Sequence, residues 1–187
     1  MVSTRTVYFI VAVAIFIAAL IAVAAYYYRR SQRSSQKNWE HLLRRLTVVD
    51  RSSIAEVALD IIDESGQRRK DEASAVLEPS EISKLVGGLE GLEAMEANCA
   101  VLVDLAFYVQ QWYPEAIVVA EKLRLSARDI EWHVGRLRSA QQTGKLEGAF
   151  TMYAQPAVAT YYLMTRQVLA LYEEGNLAML ADLRSAL

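Results

Sequence analysis

The sequence predicts an all-α protein, in which an N-terminal single transmembrane helix is followed by a soluble antiparallel helical bundle. An uncharged run from Thr6 to Tyr28 reaches the roughly 20 apolar residues that a membrane-spanning helix needs. Beyond this run, apolar residues recur every three or four positions, which is typical of helices. We therefore predict an anchor (1–30), a basic juxtamembrane stalk with a first amphipathic helix (31–52) and a cytoplasmic helical bundle (53–187).

The predicted anchor is apolar along its length and carries aromatic and basic residues at its C-terminal end. Its lipid-facing side chains are expected to be Val7, Ile10, Val13, Ile17, Leu20 and Ile21. Tyrosines and basic residues settle at the level of the lipid headgroups. The membrane interface is therefore expected at Tyr26, Tyr27, Tyr28, Arg29, Arg30, Arg33 and Lys37. Ala14, Ala18 and Ala22 have the spacing that lets a second transmembrane helix pack closely, although an alanine-rich helix also produces this spacing by chance.

A cleaved signal peptide is the alternative interpretation of the same segment, with Ala22-Val23-Ala24 as its cleavage site. The apolar run continues past that site, and the basic residues that follow resist translocation, so a retained anchor is favoured. Because basic residues concentrate on the C-terminal side, we predict that the N-terminus lies outside and the C-terminal domain is cytoplasmic. Cys99 is the single cysteine, so an intrachain disulfide is excluded.

Charge separates the N-terminal segment from the rest of the chain. Residues 1–37 hold five basic and no acidic residues. Subtracting these five from the 20 Lys and Arg of the chain leaves fifteen, against 22 Asp and Glu. The predicted bundle is therefore acidic, which argues against nucleic acid as a partner. Membrane lipid and other membrane protein subunits are the predicted partners, and a homo-oligomer stays open.

Several helices are predicted before residue 112. The first carries Trp39, Leu42, Leu46 and Val49 on one face. A capping box at Ser53 and Glu56 opens the second, which is expected to end near Gly66. The charged residues from Gln67 to Glu78 predict an exposed connection. A long helix is then expected from Pro79 to about Trp112, weakened in its early part by three glycines, Gly87, Gly88 and Gly91.

The next two helices have the clearest patterns, because each has an unbroken four-three alternation of apolar residues. The first stripe is Ala116, Ala120, Leu123, Ala127, Ile130, Val134 and Leu137, and the second is Phe150, Ala154, Ala157, Tyr161, Met164, Val168 and Leu171. Such stripes predict an antiparallel hairpin with its turn at Thr143-Gly144-Lys145 and a left-handed Gly144. Pro156 is expected to kink the second helix or to mark its start. A last short helix is expected from about Asn176 to Leu187.

The search for chemistry finds no catalytic motif. There is no phosphate-binding loop or metalloprotease motif, and one cysteine with two histidines, His41 and His133, argues against a zinc site. We therefore predict no catalytic residues, no cofactor and no metal. Glu90, Glu93 and Glu96 are interpreted as a solvated helix face, with an acidic docking strip as the alternative.

Asp104 stands out because it interrupts a run that is apolar on nearly every side. A carboxylate buried there needs a partner, and an arginine from a neighbouring helix is expected, with Arg124, Arg128 and Arg166 as candidates. An Asp104 that acts as a functional acid, or that reaches solvent, is the alternative.

These observations predict a non-enzymatic single-pass membrane protein that serves as an accessory subunit or scaffold of a larger membrane complex. One alternative is a signalling element that relays a change through the stalk. Another is an enzyme with an unrecognised site around Asp104, which would require Asp104 to line an open pocket. The sequence identifies neither the partner nor the biological process.

Overall fold

The computed structural model describes the backbone of residues 4–35, 39–67 and 77–187, and the side chains of 11–26, 39–67, 77–146 and 148–187. Every regular element of these residues is an α-helix, which confirms the predicted all-α class. The described helices are α1 (Thr4–Ser35), α2 (Trp39–Leu43), α3 (Arg51–Ile61), α4 (Pro79–Val86), α5 (Gly88–Val109), α6 (Ala116–Gln142), α7 (Leu146–Glu174) and α8 (Leu180–Ala186).

Helix α1 is 32 residues long, and every side chain described for it is exposed. Of the residues predicted to meet the membrane, Val13, Ile17, Leu20, Ile21 and Tyr26 are 39–63% exposed. The predicted packing residues Ala14, Ala18 and Ala22 are exposed as well. Val7, Ile10, Tyr27, Tyr28, Arg29, Arg30, Arg33 and Lys37 lie outside the residues whose side chains are described. Across the described residues, no helix is both long and apolar enough to cross a membrane.

Helices α5, α6 and α7 form the centre of the bundle, and each of the three contacts the other two. Short connections make α5–α6 and α6–α7 antiparallel neighbours. Helices α3 and α4 pack on α7, and α2 and α4 pack on α5. The main core cluster contains residues from α2 to α8, including the large side chains of Phe107, Tyr161 and Tyr172.

The predicted hairpin is confirmed. All residues of the two stripes are buried except Ala127, which is partly buried against the core. Gly144 has φ 70° in the turn between α6 and α7. Pro156 lies well inside α7, which begins at Leu146, so the expectation that Pro156 marks the start of the helix is wrong.

The predicted capping box at Ser53 and Glu56 is wrong. Helix α3 begins at Arg51, and Asp50 is its N-cap residue. The Asp50 carboxylate accepts hydrogen bonds from the Ser52 amide at 3.0 Å and from the Ser52 and Ser53 hydroxyls at 2.7 Å. The Ser53 and Ser52 hydrogen bonds hold the pKa of Asp50 below its ordinary value. A carboxylate accepts several hydrogen bonds and is also favoured by the helix dipole, so Asp50 is a better N-cap residue than Ser53.

The predicted long helix from Pro79 to Trp112 is in fact two helices. The chain breaks at Gly87 and Gly88, whose φ angles of 78° and 66° are left-handed. The break brings the start of α5 so close to α4 that a Cβ on Gly91 would lie 1.8 Å from the Val86 carbonyl oxygen. The three glycines therefore allow a sharp corner instead of merely weakening a helix.

The first amphipathic helix, predicted in the stalk, and the last predicted helix of the bundle are both shorter than expected. Helix α2 ends at Leu43, so Leu46 and Val49 pack against the core from an irregular segment. Helix α8 begins at Leu180, because the chain turns after α7 through Asn176, which has φ 47°. In both cases the apolar residues face the core without being helical.

Candidate functional site

The segment that follows α1 is fastened to the bundle by a row of aromatic rings. Trp39 lies 5.8 Å from Tyr108 of α5 and 5.6 Å from Tyr172 of α7, measured between ring centroids. Tyr108 in turn meets Trp112 edge to face at 5.2 Å. The row runs from Tyr172, which is fully buried, to Trp112, which is 52% exposed. Aromatic pairs of this geometry each add about 0.5–1.5 kcal/mol beyond the area they bury.

A buried amide fastens the same segment at a second point. Asn98 of α5 is 1% exposed, and its side chain accepts from the Thr47 amide and donates to the Thr47 carbonyl, both at 2.8 Å. It also donates to the Tyr161 hydroxyl at 3.1 Å. Burial raises the pKa of Tyr161 to about 12, so its hydroxyl keeps its proton at neutral pH. In this irregular segment, the Thr47 amide and carbonyl thereby find the hydrogen-bond partners that a helix would have given them.

The third fastening is an ion pair between Arg45 and Asp104. The Arg45 Nη1 atom lies 2.7 Å from the Asp104 Oδ2 atom, and the two side chains are 36% and 16% exposed. Asp104 thus meets an arginine, but it is half-buried, and Arg45 was not among the candidates from the sequence. Arg124 lies 3.4 Å from Glu121, and Arg166 donates to the Glu64 carbonyl at 2.7 Å. Arg45 reaches Asp104 because α2 ends two residues earlier and the chain turns towards α5.

Asp104 also lines an open cleft of about 330 Å³ between α5 and α6. Its other polar lining residues are Glu96, Cys99, Arg124, Arg128 and Glu131. Cys99 is 1% exposed and its S–H donates to the Met95 carbonyl at 3.1 Å. Burial raises the pKa of the Cys99 thiol to about 12, so it stays protonated at neutral pH and is a poor nucleophile. The cleft offers charged groups of both signs.

Two of the three glutamates predicted to form a solvated strip pair with one arginine of α6. Arg138 donates to Glu93 through Nε and to Glu96 through Nη2, both at 2.7 Å. All three side chains keep at least 21% of their surface exposed. Glu93 and Glu96 therefore join α5 to α6 through Arg138. Glu90 is not part of this pairing.

His133 of α6 lies between two aromatic rings and a carboxylate. Its ring lies 4.9 Å from Trp132 and 6.0 Å from Tyr153, and its Nε2 atom lies 3.8 Å from an Asp129 oxygen. Burial lowers the pKa of His133, partly offset by the negative charge of Asp129. Among the residues that the structure describes, no three His, Cys, Asp or Glu side chains are grouped to hold a metal ion.

Comparison with known proteins adds no relative. No protein-family model matches the chain, and no curated protein or solved structure matches it at a significant level. The functional assignment therefore rests on the residues of this chain.

Sequence reasoning located Asp104 but missed Asn98, Thr47 and Trp39 as a set. The one indication in the sequence was Asn98 itself, a polar residue just before the apolar run that begins at Cys99. Its partners lie 51 and 63 positions away in the chain, so no local pattern could identify them.

Proposed function

We propose that the chain is a non-enzymatic single-pass membrane protein, in which α1 is the anchor and the bundle is an accessory subunit or scaffold of a larger membrane complex. The observation that carries the proposal is the exposure of α1. Ile15, Phe16 and Ile21 are 63–66% exposed, on a helix whose described side chains are all exposed. An apolar helix surface of this kind requires cover, and exposed apolar patches mark membrane or protein contacts.

Lipid is the cover that fits this helix best. The run from Thr6 to Tyr28 contains no charged residue, and the described side chains belong to its central part. A helix of 32 residues is about 48 Å long, which exceeds the roughly 30 Å hydrocarbon core of a bilayer. Arg29, Arg30, Arg33 and Lys37 would then meet anionic headgroups, each with a gain of about 1 kcal/mol.

The same charges support the proposed orientation. Only Arg5 precedes the apolar run, whereas four basic residues follow it before the first acidic residue, Glu40. This bias favours an external N-terminus and a cytoplasmic bundle. The acidic net charge of the remaining chain favours protein partners over nucleic acid.

The fastened segment supports a role in assembly. Trp39 is the fourth residue after the end of α1, and it already lies between Tyr108 and Tyr172. The bundle therefore begins close to the end of α1 in the chain and not beyond a long free linker. A subunit held near the membrane in this way presents its surfaces to neighbouring membrane proteins with little loss of entropy.

The test is affinity purification of the full chain from native membranes in mild detergent, followed by native mass determination and peptide identification. We expect stoichiometric co-purification with other membrane proteins. A chain that purifies alone, or only with copies of itself, contradicts the accessory-subunit role.

A signalling element is the second candidate, and the three fastenings between residues 39–47 and α5 and α7 favour it. A shift of α1 would reach Asn98 and Asp104 through Trp39, Arg45 and Thr47. Asn98→Ala tests this idea, because it should uncouple the segment without changing membrane attachment. Exchange protection of α5 that is unaffected by Asn98→Ala would argue against such a relay.

An enzyme with a site around Asp104 is the third candidate, since Asp104 lines the cleft between α5 and α6. Thermal-shift screening of polar metabolites against the wild type and Asp104→Asn tests it. A ligand that stabilises only the wild type supports this candidate, and equal responses of both proteins remove it.

A further inference from the structure

The outer face of α6 carries a line of exposed apolar residues at a period of seven. Val118, Leu125 and Trp132 are 57%, 67% and 51% exposed. Seven residues are about 10 Å of helix, so the three side chains lie one above the other on a single face. Exposed apolar residues are ordinary when scattered, but these three are aligned every seven residues, which supplies one of the two apolar positions of a helix-pairing heptad.

This line is separate from the stripe that α6 uses inside the bundle. The buried residues Ala120, Leu123, Ile130, Val134 and Leu137 are turned away from it by roughly half a rotation of the helix. Helix α6 therefore has a second line of apolar residues beside the stripe that is buried in the bundle. Trp132 meets Tyr153 of α7 at 5.7 Å between ring centroids, but Val118, Leu125 and Trp132 all stay more than half exposed.

Charged residues accompany the outer line in an order that is complementary to itself. Glu115, Lys122, Asp129 and Arg136 are all exposed and also recur every seven residues. At 3.6 residues per turn, they share with the apolar line a face about 100° wide. The signs along the chain are negative, positive, negative and positive.

When two copies of α6 are placed antiparallel and centred on Leu125, the pattern meets its complement. Val118 of each copy faces Trp132 of the other, and Leu125 faces its own counterpart. Lys122 then lies within one residue, or about 1.5 Å, of the position opposite Asp129, and Glu115 is placed in the same way relative to Arg136. A parallel two-fold pair would instead put these charged residues on opposite sides of the seam, where they do not face one another.

We infer that α6 mediates an isologous homodimer, in which Val118, Leu125 and Trp132 form an antiparallel seam with the same face of a second copy. A two-fold contact uses the same patch on both chains, so each favourable pair occurs twice. Arg136 already lies over the Trp132 ring at 5.2 Å, which holds that ring at the seam. This inference does not depend on the proposed membrane role, because the seam lies on α6 alone.

The first test is the mass of the full chain in mild detergent, measured by light scattering across a concentration series. We expect the wild type to be dimeric, and Leu125→Glu to raise the dimer dissociation constant at least about 100-fold, since two carboxylates would meet at the axis. Circular dichroism verifies that the variant stays helical. A monomeric wild type at about 100 µM, or a Leu125→Glu variant that dimerises normally, overturns the inference.

Charge swaps give a test that misfolding cannot imitate. Lys122→Glu alone and Asp129→Lys alone should each weaken the dimer about tenfold, because each sets like charges opposite one another at two symmetric places. The double swap should restore dimerisation, and so should a mixture of the two single variants. Failure of both combinations to restore the dimer contradicts the proposed pairing.

Single cysteines determine the direction of the pairing. Leu125→Cys should form an intermolecular disulfide on mild oxidation, because the two copies meet at the axis. Val118→Cys should not, since its two copies would lie about 21 Å apart along the helix, far beyond disulfide reach. The native Cys99 is 1% exposed and does not compete. A Val118→Cys variant that cross-links as readily as Leu125→Cys rejects the antiparallel arrangement.

Discussion

The α6–α7 hairpin and the segment of residues 39–50 both pack against the same core, but they are held in different ways. The hairpin is held by a continuous seam of buried apolar residues that recur every three or four positions along α6 and α7. The segment after α1 is largely irregular and depends on a few specific contacts, centred on Trp39, Arg45 and Thr47. In the hairpin, a substitution in the seam lowers the stability of the whole bundle, whereas in the segment the loss of one contact releases the backbone locally.

The largest expected effect lies in the hairpin. Met164 and Met152 are both on α7, but Met164 is 1% exposed and Met152 is 66% exposed. We expect Met164→Ala to lower the free energy of unfolding by about 2–5 kcal/mol, through lost burial and a cavity. Met152→Ala should change it by less than about 0.5 kcal/mol. Urea unfolding of the full chain in mild detergent measures both, and equal losses would contradict the assignment of the seam.

Removal of the buried amide should break the junction and leave the hairpin intact. Asn98→Ala leaves the Thr47 amide and carbonyl without their partner, and we expect a loss of about 2–3 kcal/mol. Hydrogen exchange should accelerate at residues 45–50 and remain slow in α6. Gln167→Ala, which removes an exposed amide from α7, is the control and should leave exchange unchanged. Acceleration throughout the bundle would mean that the two regions unfold together.

Gly91, at the corner between α4 and α5, is closely packed, whereas Gly148 of α7 has free space around it. An added methyl group on Gly91 would meet the Val86 carbonyl oxygen, so Gly91→Ala should destabilise the protein by about 1–3 kcal/mol. Among the described residues, no atom beyond the neighbouring residues and the nearby helix backbone lies within 4 Å of a methyl group placed on Gly148 of α7, so Gly148→Ala should stabilise by up to about 1 kcal/mol. Thermal unfolding of the two variants compares the signs directly. A stabilising Gly91→Ala would show that the corner is not as close as described.

The smallest expected effect is a pH dependence from His133 in the hairpin. Because burial lowers its pKa in the folded state, the unfolded chain takes up this proton first as the pH falls. The contribution of His133 to stability is therefore fully present above the ordinary histidine pKa and declines below it. Unfolding midpoints between about pH 8 and pH 5.5 should fall for the wild type and fall less for His133→Gln. Identical slopes would assign the dependence to other groups.

The parts of the fold that the sequence predicts are those set by local repetition. The stripes of α6 and α7 and the left-handed Gly144 follow from residues a few positions apart. The start of α3 was missed because Asp50, Ser52 and Ser53 compete for the same cap, and the stronger acceptor lies outside the apolar pattern. The corner at Gly87 was missed because its close packing against Val86 appears only in three dimensions.

The candidate sites follow the same rule. Asp104 could be selected from the sequence because a carboxylate in an apolar run needs a partner. Its pairing with Arg45, 59 residues away, depends on the end of α2 and the turn that follows. The fastening by Asn98 is likewise non-local. Long-range polar contacts carry no spacing rule, so these residues require a structure.

Extraction of native membranes with alkaline carbonate, followed by intact mass measurement of the chain, tests the central claim most directly. If α1 is a retained anchor, the chain stays in the membrane pellet at its full mass, and an Ile17→Arg variant shifts towards the supernatant because a charge in the middle of the helix is costly in lipid. A wild-type chain that is released by carbonate at full mass, or that has lost residues 1–24, contradicts the account.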